Sequence, residues 1–354
     1  MRSNVDALSK SLDSYVSVVI PAYNRREILV EIIKAFAEQT LSPNFYEIIV
    51  VDDGSSDDTR AYVEKLLEVV PALTYIRYEE NKGPATARNT GIKAARGGIV
   101  LLNDNDVKPD RNYVEAHLQY HQRYGDEHIA VVGNLAFAPE CIEGSNFGRH
   151  CQSRYLGHRS RWSKEALDYA NLPPMFFGGG ITSVRRTDLL AVGLFDCSFR
   201  YARGEDEYMG YLLWKLGVRI IFGEAARALH YDTTSISRYK LKSIEVSRVG
   251  QEVLGAYEVI LDKAPEYFEL TKLRFVLPID RQKDSYARII IKLGIRIALN
   301  PVVVFLLERW TIITDHYPWL YCGPLYRALI AGWHLQGQRS EQQRGRLVTY
   351  GEGE

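Results

Sequence analysis

The amino-acid sequence predicts an α/β protein in which a mainly parallel sheet is flanked by helices and followed by a helical C-terminal module. Three observations carry this. Over the first hundred residues, short runs rich in Val and Ile alternate with amphipathic helical runs, the pattern of βαβ units. Two of the predicted strands run directly into acidic turns, Asp52-Asp53-Gly54 and Asn103-Asp104-Asn105-Asp106. After Ser235 the strand pattern gives way to long helical patterns.

Taken in order, Val16 to Ile20 reads as a buried strand. Asn24 is placed to cap a helix whose apolar positions Ile28, Leu29, Ile32, Ile33 and Phe36 recur at helical spacing before Pro43. Glu47 to Val51 is a second strand, Asp57 to Val70 a helix, and Leu73 to Tyr78 a third strand. Gly83-Pro84 makes a turn into a helix over 85–96, and Ile99 to Leu102 is a fourth strand. Further on, helices are expected over 109–125 and 206–216, with strands over 129–137, 180–184 and 219–222. Helical patterns then cover 236–262, 281–299 and 324–335. In an open α/β sheet, ligands collect at the carboxyl ends of the strands near the switch in strand order, so both acidic turns lie where a ligand would be held.

With 354 residues, 46% hydrophobic and 25% charged, the chain falls among ordinary soluble globular proteins of one large or two smaller domains. Forty-four basic residues balance forty-four acidic ones, so no global field attracts a polyanion and nucleic acid is not an expected partner. The four cysteines, Cys141, Cys151, Cys197 and Cys322, form neither a CxxC pair nor a Cys/His cluster, which fits a reducing compartment. Residues 1–13 lack the basic-then-apolar order of a secretion signal, and the longest apolar run near the C-terminus, Ile297 to Leu307, is far shorter than the roughly 20 residues that span a bilayer. The expected location is therefore cytoplasmic, with membrane association on the cytoplasmic face as its one variant.

The run Val18-Val-Ile-Pro-Ala-Tyr-Asn-Arg25, then Val50-Val-Asp-Asp-Gly-Ser-Ser-Asp57, then Asn81-Lys-Gly-Pro-Ala-Thr-Ala-Arg-Asn89 resembles glycosyltransferase family 2 and its GT-A fold. The resemblance continues through Leu102 to Pro109, Phe177-Gly-Gly-Gly180, Gly193-Leu-Phe-Asp196, Gly204-Glu-Asp-Glu207 and His230. It covers residues 15–235. Each motif is weak alone, and seven in sequence are specific. The implied organisation is an N-terminal tail (1–14), a catalytic domain (15–235) with a nucleotide-binding half (15–107) and an acceptor half (108–235), and a helical module (236–354).

The resemblance implies the following roles. Asp53 accepts the uracil N–H, with Pro21, Ala22 and Tyr23 packing beside the ring; the plainer reading is that Asp52 and Asp53 cap the next helix. Arg88 lies near the diphosphate, where a guanidinium binds phosphate oxygens in a fork; it also suits an ion pair. The Asn103–Asp106 turn stands where the family presents Asp-x-Asp to Mn2+ or Mg2+. Counted back from Pro109, the usual aspartates fall on Asn103 and Asn105, a departure that leaves Asp104 and Asp106 one step displaced as ligands and lets Asn103 and Asn105 bond ribose or sugar hydroxyls. The contrary reading is that amides have dismantled the metal site. His230 resembles the third metal ligand, although a lone histidine is more often structural. Gly179 lies in a glycine run where missing side chains let backbone approach a sugar. Asp206 matches the aspartate that acts as general base in inverting members, while Glu205, Asp206 and Glu207 also complement a helix N-terminus. Trp162 is placed to stack on an acceptor sugar, or to sit in the core.

In the C-terminal module Arg288, Lys292 and Arg296 recur every four residues on a helix rich in Ile and Leu. That stripe suits either an anionic membrane surface or the solvated face of a packed helix. Together these features predict an inverting, non-processive glycosyltransferase using a nucleotide-sugar donor, UDP-sugar favoured, on a glycan, lipid-linked or other hydroxyl acceptor. Peripheral membrane contact and a homo-oligomer are the further partners expected. The alternative is a catalytically silent sugar-nucleotide-binding or scaffold protein, which the Asn103 and Asn105 departure motivates and the retention of Asp206 opposes.

Overall fold

Alternation of apolar residues along the first strands sorts their side chains onto two faces, and both faces are covered. In the computed structural model Val16, Val18, Ile20, Ile48 and Val50 pack with Leu29, Ile32, Ile33 and Phe36 of the helix Arg26–Ala37. Val19, Ile49, Val51, Val100 and Leu102 pack on the other face with Ala87 and Ile92 of the helix Pro84–Ala94. This two-sided burial is why the strands read as continuous Val/Ile runs. The structure describes residues 14–158, 167–199, 204–232, 235–246, 256–271, 275, 277, 279 and 284–349. Trp162, the first residues of the helix expected from Arg281, and most of the tail 1–14 lie outside them.

The described residues divide into two compact units, Met1–Ala138 with Ser153–Asp232, and Pro139–Gln152 with Thr233–Glu354. The first holds an eight-stranded sheet built from β1 (Val16–Ala22), β2 (Tyr46–Asp52), β3 (Leu73–Arg77), β4 (Ile99–Asn103), β5 (Val107–Pro109), β6 (Ile129–Phe137), β7 (Ile181–Arg185) and β8 (Arg219–His230). Its order is β3-β2-β1-β4-β7-β6-β8-β5. β1 pairs parallel with β2 and with β4, so the strand order switches between β1 and β4, and the acidic turns after β2 and β4 leave the same edge. β4 pairs antiparallel with β7, which brings the glycine run before β7 beside the turn after β4.

Two departures from the sequence expectation shape the site. Asn24 does not cap a helix: the N-cap is Arg25, whose own side chain makes no cap bond, and the Arg26 N–H of the first turn donates instead to Asp57 Oδ2 at 3.2 Å. Asn24 and Arg25 both adopt left-handed backbone, with φ of 56° and 60°. The Asn24 amide oxygen accepts from the Ser56 N–H at 3.0 Å and its own N–H donates to Ser55 Oγ at 2.8 Å, clasping the turn after β1 to the turn after β2. β8 runs to His230 rather than stopping at Phe222, because β6 resumes pairing with it after a register shift between Gly133 and Asn134. β5 adds antiparallel to its far end, opposing Val107 to His230.

The second unit is helical. Ile236–Val246, Ala256–Lys263, Tyr286–Ala298, Pro301–Thr314 and Gly323–Thr349 are its main helices. The helix Pro301–Thr314 was not expected from the sequence pattern; Asn300 caps it, accepting from the N–H groups of Val302 and Val303, and Pro301 starts it. Phe147, Tyr239, Tyr326 and Trp333 cluster within this unit. The stripe Arg288, Lys292, Arg296 is not its solvated face. Lys292 is buried and pairs with Asp284 at 2.6 Å, Arg288 pairs with Glu269, and Arg296 donates to the Leu277 carbonyl.

Phe36 is fully buried in the first core. Phe36→Ala is expected to cost about 3–5 kcal/mol in urea unfolding, with an unchanged slope against denaturant.

Candidate functional site

The turn after β2 sets the first part of the site. Asp52, buried, accepts from the Ser55 N–H at 2.8 Å and from the Tyr75 hydroxyl, which shapes the turn itself. Asp53 instead reaches across to the turn before the helix Pro84–Ala94. Its two oxygens accept the N–H groups of Lys82 and Gly83 at 2.7 and 2.8 Å. Gly83 has φ of 91°, a conformation that favours glycine, and the approach depends on it. Burial raises the Asp53 carboxyl above its usual range and neighbouring Asp52 adds to this, while the two backbone bonds and Lys82 oppose it. Beside it, Ala22 is buried and Tyr23 is exposed. Neither acid caps the following helix, which begins at Thr59 with no side-chain cap bond from Asp58.

Arg88 forms the centre of the second part. Its side chain is 5% exposed, and every edge of the guanidinium is used. Nε donates to the Gly179 carbonyl at 3.1 Å, Nη1 to Glu205 at 2.9 Å and Nη2 to Asp104 at 2.8 Å. Gly179 N–H in turn donates to Asp206 Oδ2 at 3.2 Å. One cation thus gathers the turn after β4, the glycine run before β7 and the start of the helix Glu205–Lys215. Burial works against the Arg88 charge, but Asp104, Glu205 and Asp206 outweigh it and raise its pKa. Three carboxylates around one guanidinium are an excess. Burial, with Asp206 adding to it and Arg88 opposing, pushes Glu205 up to about 8, and Asp104 is raised by the same causes in its own surroundings.

The glycines of this run make room for the charged groups. A Cβ on Gly180 would lie 2.1 Å from the Asp104 carboxylate, and one on Gly179 would lie 3.3 Å from the Arg88 guanidinium carbon. Asn103 is buried and holds the turn, its amide donating to the Asp104 and Val107 carbonyls at 2.9 Å each.

Asp106 belongs to a third group, displaced from Asp104. It pairs with Arg25 and lies 3.4 Å from His230 Nε2, while Arg25 also reaches Asp232 at 3.5 Å. Tyr155 bonds His230 Nδ1 at 2.8 Å, and Phe137 packs against the ring at 5.1 Å, so Nε2 is held toward the acid. Of the three expected metal residues, the structure brings Asp106 and His230 together and leaves Asp104 with Arg88. Among the described residues no group of three or more His, Cys, Asp or Glu side chains is arranged to hold a metal ion by itself. A divalent cation that completes its shell with diphosphate oxygens and water takes only one or two carboxylates from protein, and Asp106 with His230 fits such an ion. Arg25 already stands there as a positive charge.

The sequence alone gives no site role to Arg25, Tyr155 or Asp232, and leaves Glu205 only as a complement to a helix N-terminus. Two of them had a visible signal: Arg25 ends the first motif, and Asp232 follows His230 by two residues.

The sheet order, the switch between β1 and β4 and the acids at its edge define the class: a GT-A fold. Residues 17–191 match the family described as Glycosyl transferase family 2, and this part of the chain belongs to that family. It is 27% identical over 284 residues to chondroitin synthase of Escherichia coli, covering 69% of this chain and 40% of that protein. It is 28% identical over 224 residues to validoxylamine A glucosyltransferase of Streptomyces hygroscopicus subsp. limoneus, covering 57% of this chain and 48% of that one. The chain thus spans less than half the length of these two relatives. Among solved structures, the mannosyltransferase PcManGT from Pyrobaculum calidifontis, in complex with GDP-Man and Mn2+, superposes with a TM-score of 0.53 at 18% identity. That match covers 91% of this chain and 86% of the mannosyltransferase, and at such identity it shows the fold.

Burial in the folded protein pushes the Glu205 carboxyl up from its ordinary 4.5 to about 8. Between these values the folded protein keeps a proton that the unfolded chain has released, so this group makes stability fall as pH rises through the window. Glu205→Gln, an isostere of the protonated acid, is expected to flatten that fall in urea midpoints measured from pH 5 to 8. An unchanged pH slope would place the proton elsewhere.

Proposed function

We propose that the chain transfers a sugar from a nucleotide-sugar donor, UDP-sugar favoured, to an acceptor hydroxyl with inversion, one sugar per encounter, and that Asp206 is the general base. The observation that carries this is the convergence of Asp206, Gly179, Arg88 and Asp104 at the sheet edge that also holds Asp53.

The reading assigns each group a task. Asp53, fixed by two backbone bonds, keeps lone pairs for the N–H of a pyrimidine, and the exposed ring of Tyr23 lies on the adjoining turn after Pro21 and Ala22. A divalent ion held by Asp106 and His230 would supply charge to the departing diphosphate. Arg88 acts by position: it fixes Asp104 and the Gly179 carbonyl. Asp104 Oδ2 and the neighbouring Asn105 are left to meet donor hydroxyls.

Asp206 stands in the first turn of the helix Glu205–Lys215, partly exposed, with one oxygen on Gly179 N–H. Its other oxygen takes the acceptor's proton as the acceptor oxygen bonds to the anomeric carbon. The bond from that carbon to the diphosphate oxygen breaks, and its electron pair leaves with the diphosphate. Attack from the side opposite the leaving group inverts the configuration and needs no covalent intermediate. A positioned base within about 3 Å contributes on the order of 100- to 10,000-fold.

Asp206→Asn is expected to lower release of nucleoside diphosphate from UDP-sugars, assayed against a panel of hydroxyl acceptors, by at least about 100-fold. UDP affinity should stay within a few-fold. A variant as active as the parent would remove Asp206 from the base role, and a parent that transfers nothing to any acceptor would favour the binding or scaffold reading.

A further inference from the structure

The helix Tyr286–Ala298 is amphipathic the opposite way round from a solvated helix. Its cations are satisfied inside the second unit, and its aliphatic side faces out: Ile290 is 68% and Ile297 73% exposed. The next helix, Pro301–Thr314, continues that surface with Val302, Leu306 and Ile313. Fifteen of the twenty-five exposed large apolar side chains among the described residues lie between Tyr286 and Tyr321. Exposed apolar residues on soluble proteins are ordinarily scattered, so a concentration of this kind marks a binding surface.

We propose that this face of the second unit inserts into the interfacial layer of a lipid bilayer. Composition is the first ground: the aliphatic residues are edged by Tyr286, Trp310, Tyr317 and Trp319, rings that favour the headgroup level. Shape is the second. No single helix among the described residues is long and apolar enough to cross a membrane, and the pair Tyr286–Ala298 and Pro301–Thr314 is bent by 58° at a short break. Two short helices exposing one apolar side suit burial along the interface plane. An open groove lined by Val303, Leu306, Leu307 and Trp310 of the second of these helices and by Leu325 of the helix Gly323–Thr349 has walls apolar enough for a hydrocarbon chain.

Charge is the third ground, and it selects lipid over a second copy of the chain. Three carboxylates lie between 284 and 327, and each accepts a bond within the unit: Asp284 from Lys292, Glu308 from Lys240 and Asp315 from the Phe147 N–H. Arg309 and Arg327 are exposed. A two-fold contact between copies would set this surface against itself, arginines included, with no carboxylate of the segment turned outward to meet them. Anionic headgroups supply that partner.

The test is sedimentation of the full chain with vesicles of phosphatidylcholine alone and with phosphatidylglycerol added. Binding to both is expected, tighter with the anionic lipid, and persisting in part at high salt. The paired exposed-site variants Ile290→Glu with Ile297→Glu, and Leu306→Glu with Ile313→Glu, should each weaken binding at least tenfold while the circular dichroism spectrum is kept. No vesicle binding by the parent overturns the proposal, as does binding by the variants equal to the parent's. Binding confined to anionic vesicles and abolished by salt would trace to surface cations and overturn insertion. A concentration-dependent dimer split by the same variants, without vesicle binding, would identify a second copy instead.

Discussion

The site depends on a buried guanidinium. Arg88 is almost wholly out of water, yet it serves Asp104, Glu205 and the Gly179 carbonyl, groups that reach it from a turn, a helix start and a glycine run widely separated in sequence. A buried charge is tolerable only when paired and fully hydrogen-bonded, so these three elements have one arrangement in which the charge is satisfied. That arrangement is also what brings Asp206 to Gly179. The glycines at 179 and 180 follow from the same constraint, since a side chain at either would stand where Arg88 and Asp104 meet.

A second arginine repeats the device on a smaller scale. Arg25, on left-handed backbone at the end of β1, spans Asp106 and Asp232 beside His230. The acids at the sheet edge are therefore divided between two cations. Such an edge is rich in negative charge, and the donor's diphosphate would add to it, which gives a divalent ion a physical reason to enter with the donor.

Much of this was legible in the sequence, for reasons that particular residues make plain. Strands buried on both faces announce themselves as Val/Ile runs, and a strand that ends in Asp52-Asp53 or Asn103-Asp104 places its acids at the carboxyl edge without further information. Direction was harder. The spacing of Arg288, Lys292 and Arg296 defines one side of a helix but not which side meets the core, and here Asp284 holds Lys292 in a buried pair while Arg288 reaches Glu269 of an earlier segment. Arg88 posed the same problem: its position near the site was readable, its engagement by carboxylates rather than phosphate was not, because Glu205 lies 117 residues away. Asn24 read as a helix cap because it precedes a helix, and tertiary contact with Ser55 and Ser56 overrode the local preference.

The fold and family are those of a glycosyltransferase, and the donor chemistry rests on Asp53 and on the Asp106–His230 pair. Calorimetric titration of the protein with UDP, GDP and dTDP, each with and without manganese, probes both without knowledge of the acceptor. Binding of UDP in preference to the others, dependent on manganese, is the predicted result. UDP binding indifferent to the metal would contradict the ion site at Asp106 and His230, and no binding of any of the three nucleotides would contradict the proposed donor site as a whole.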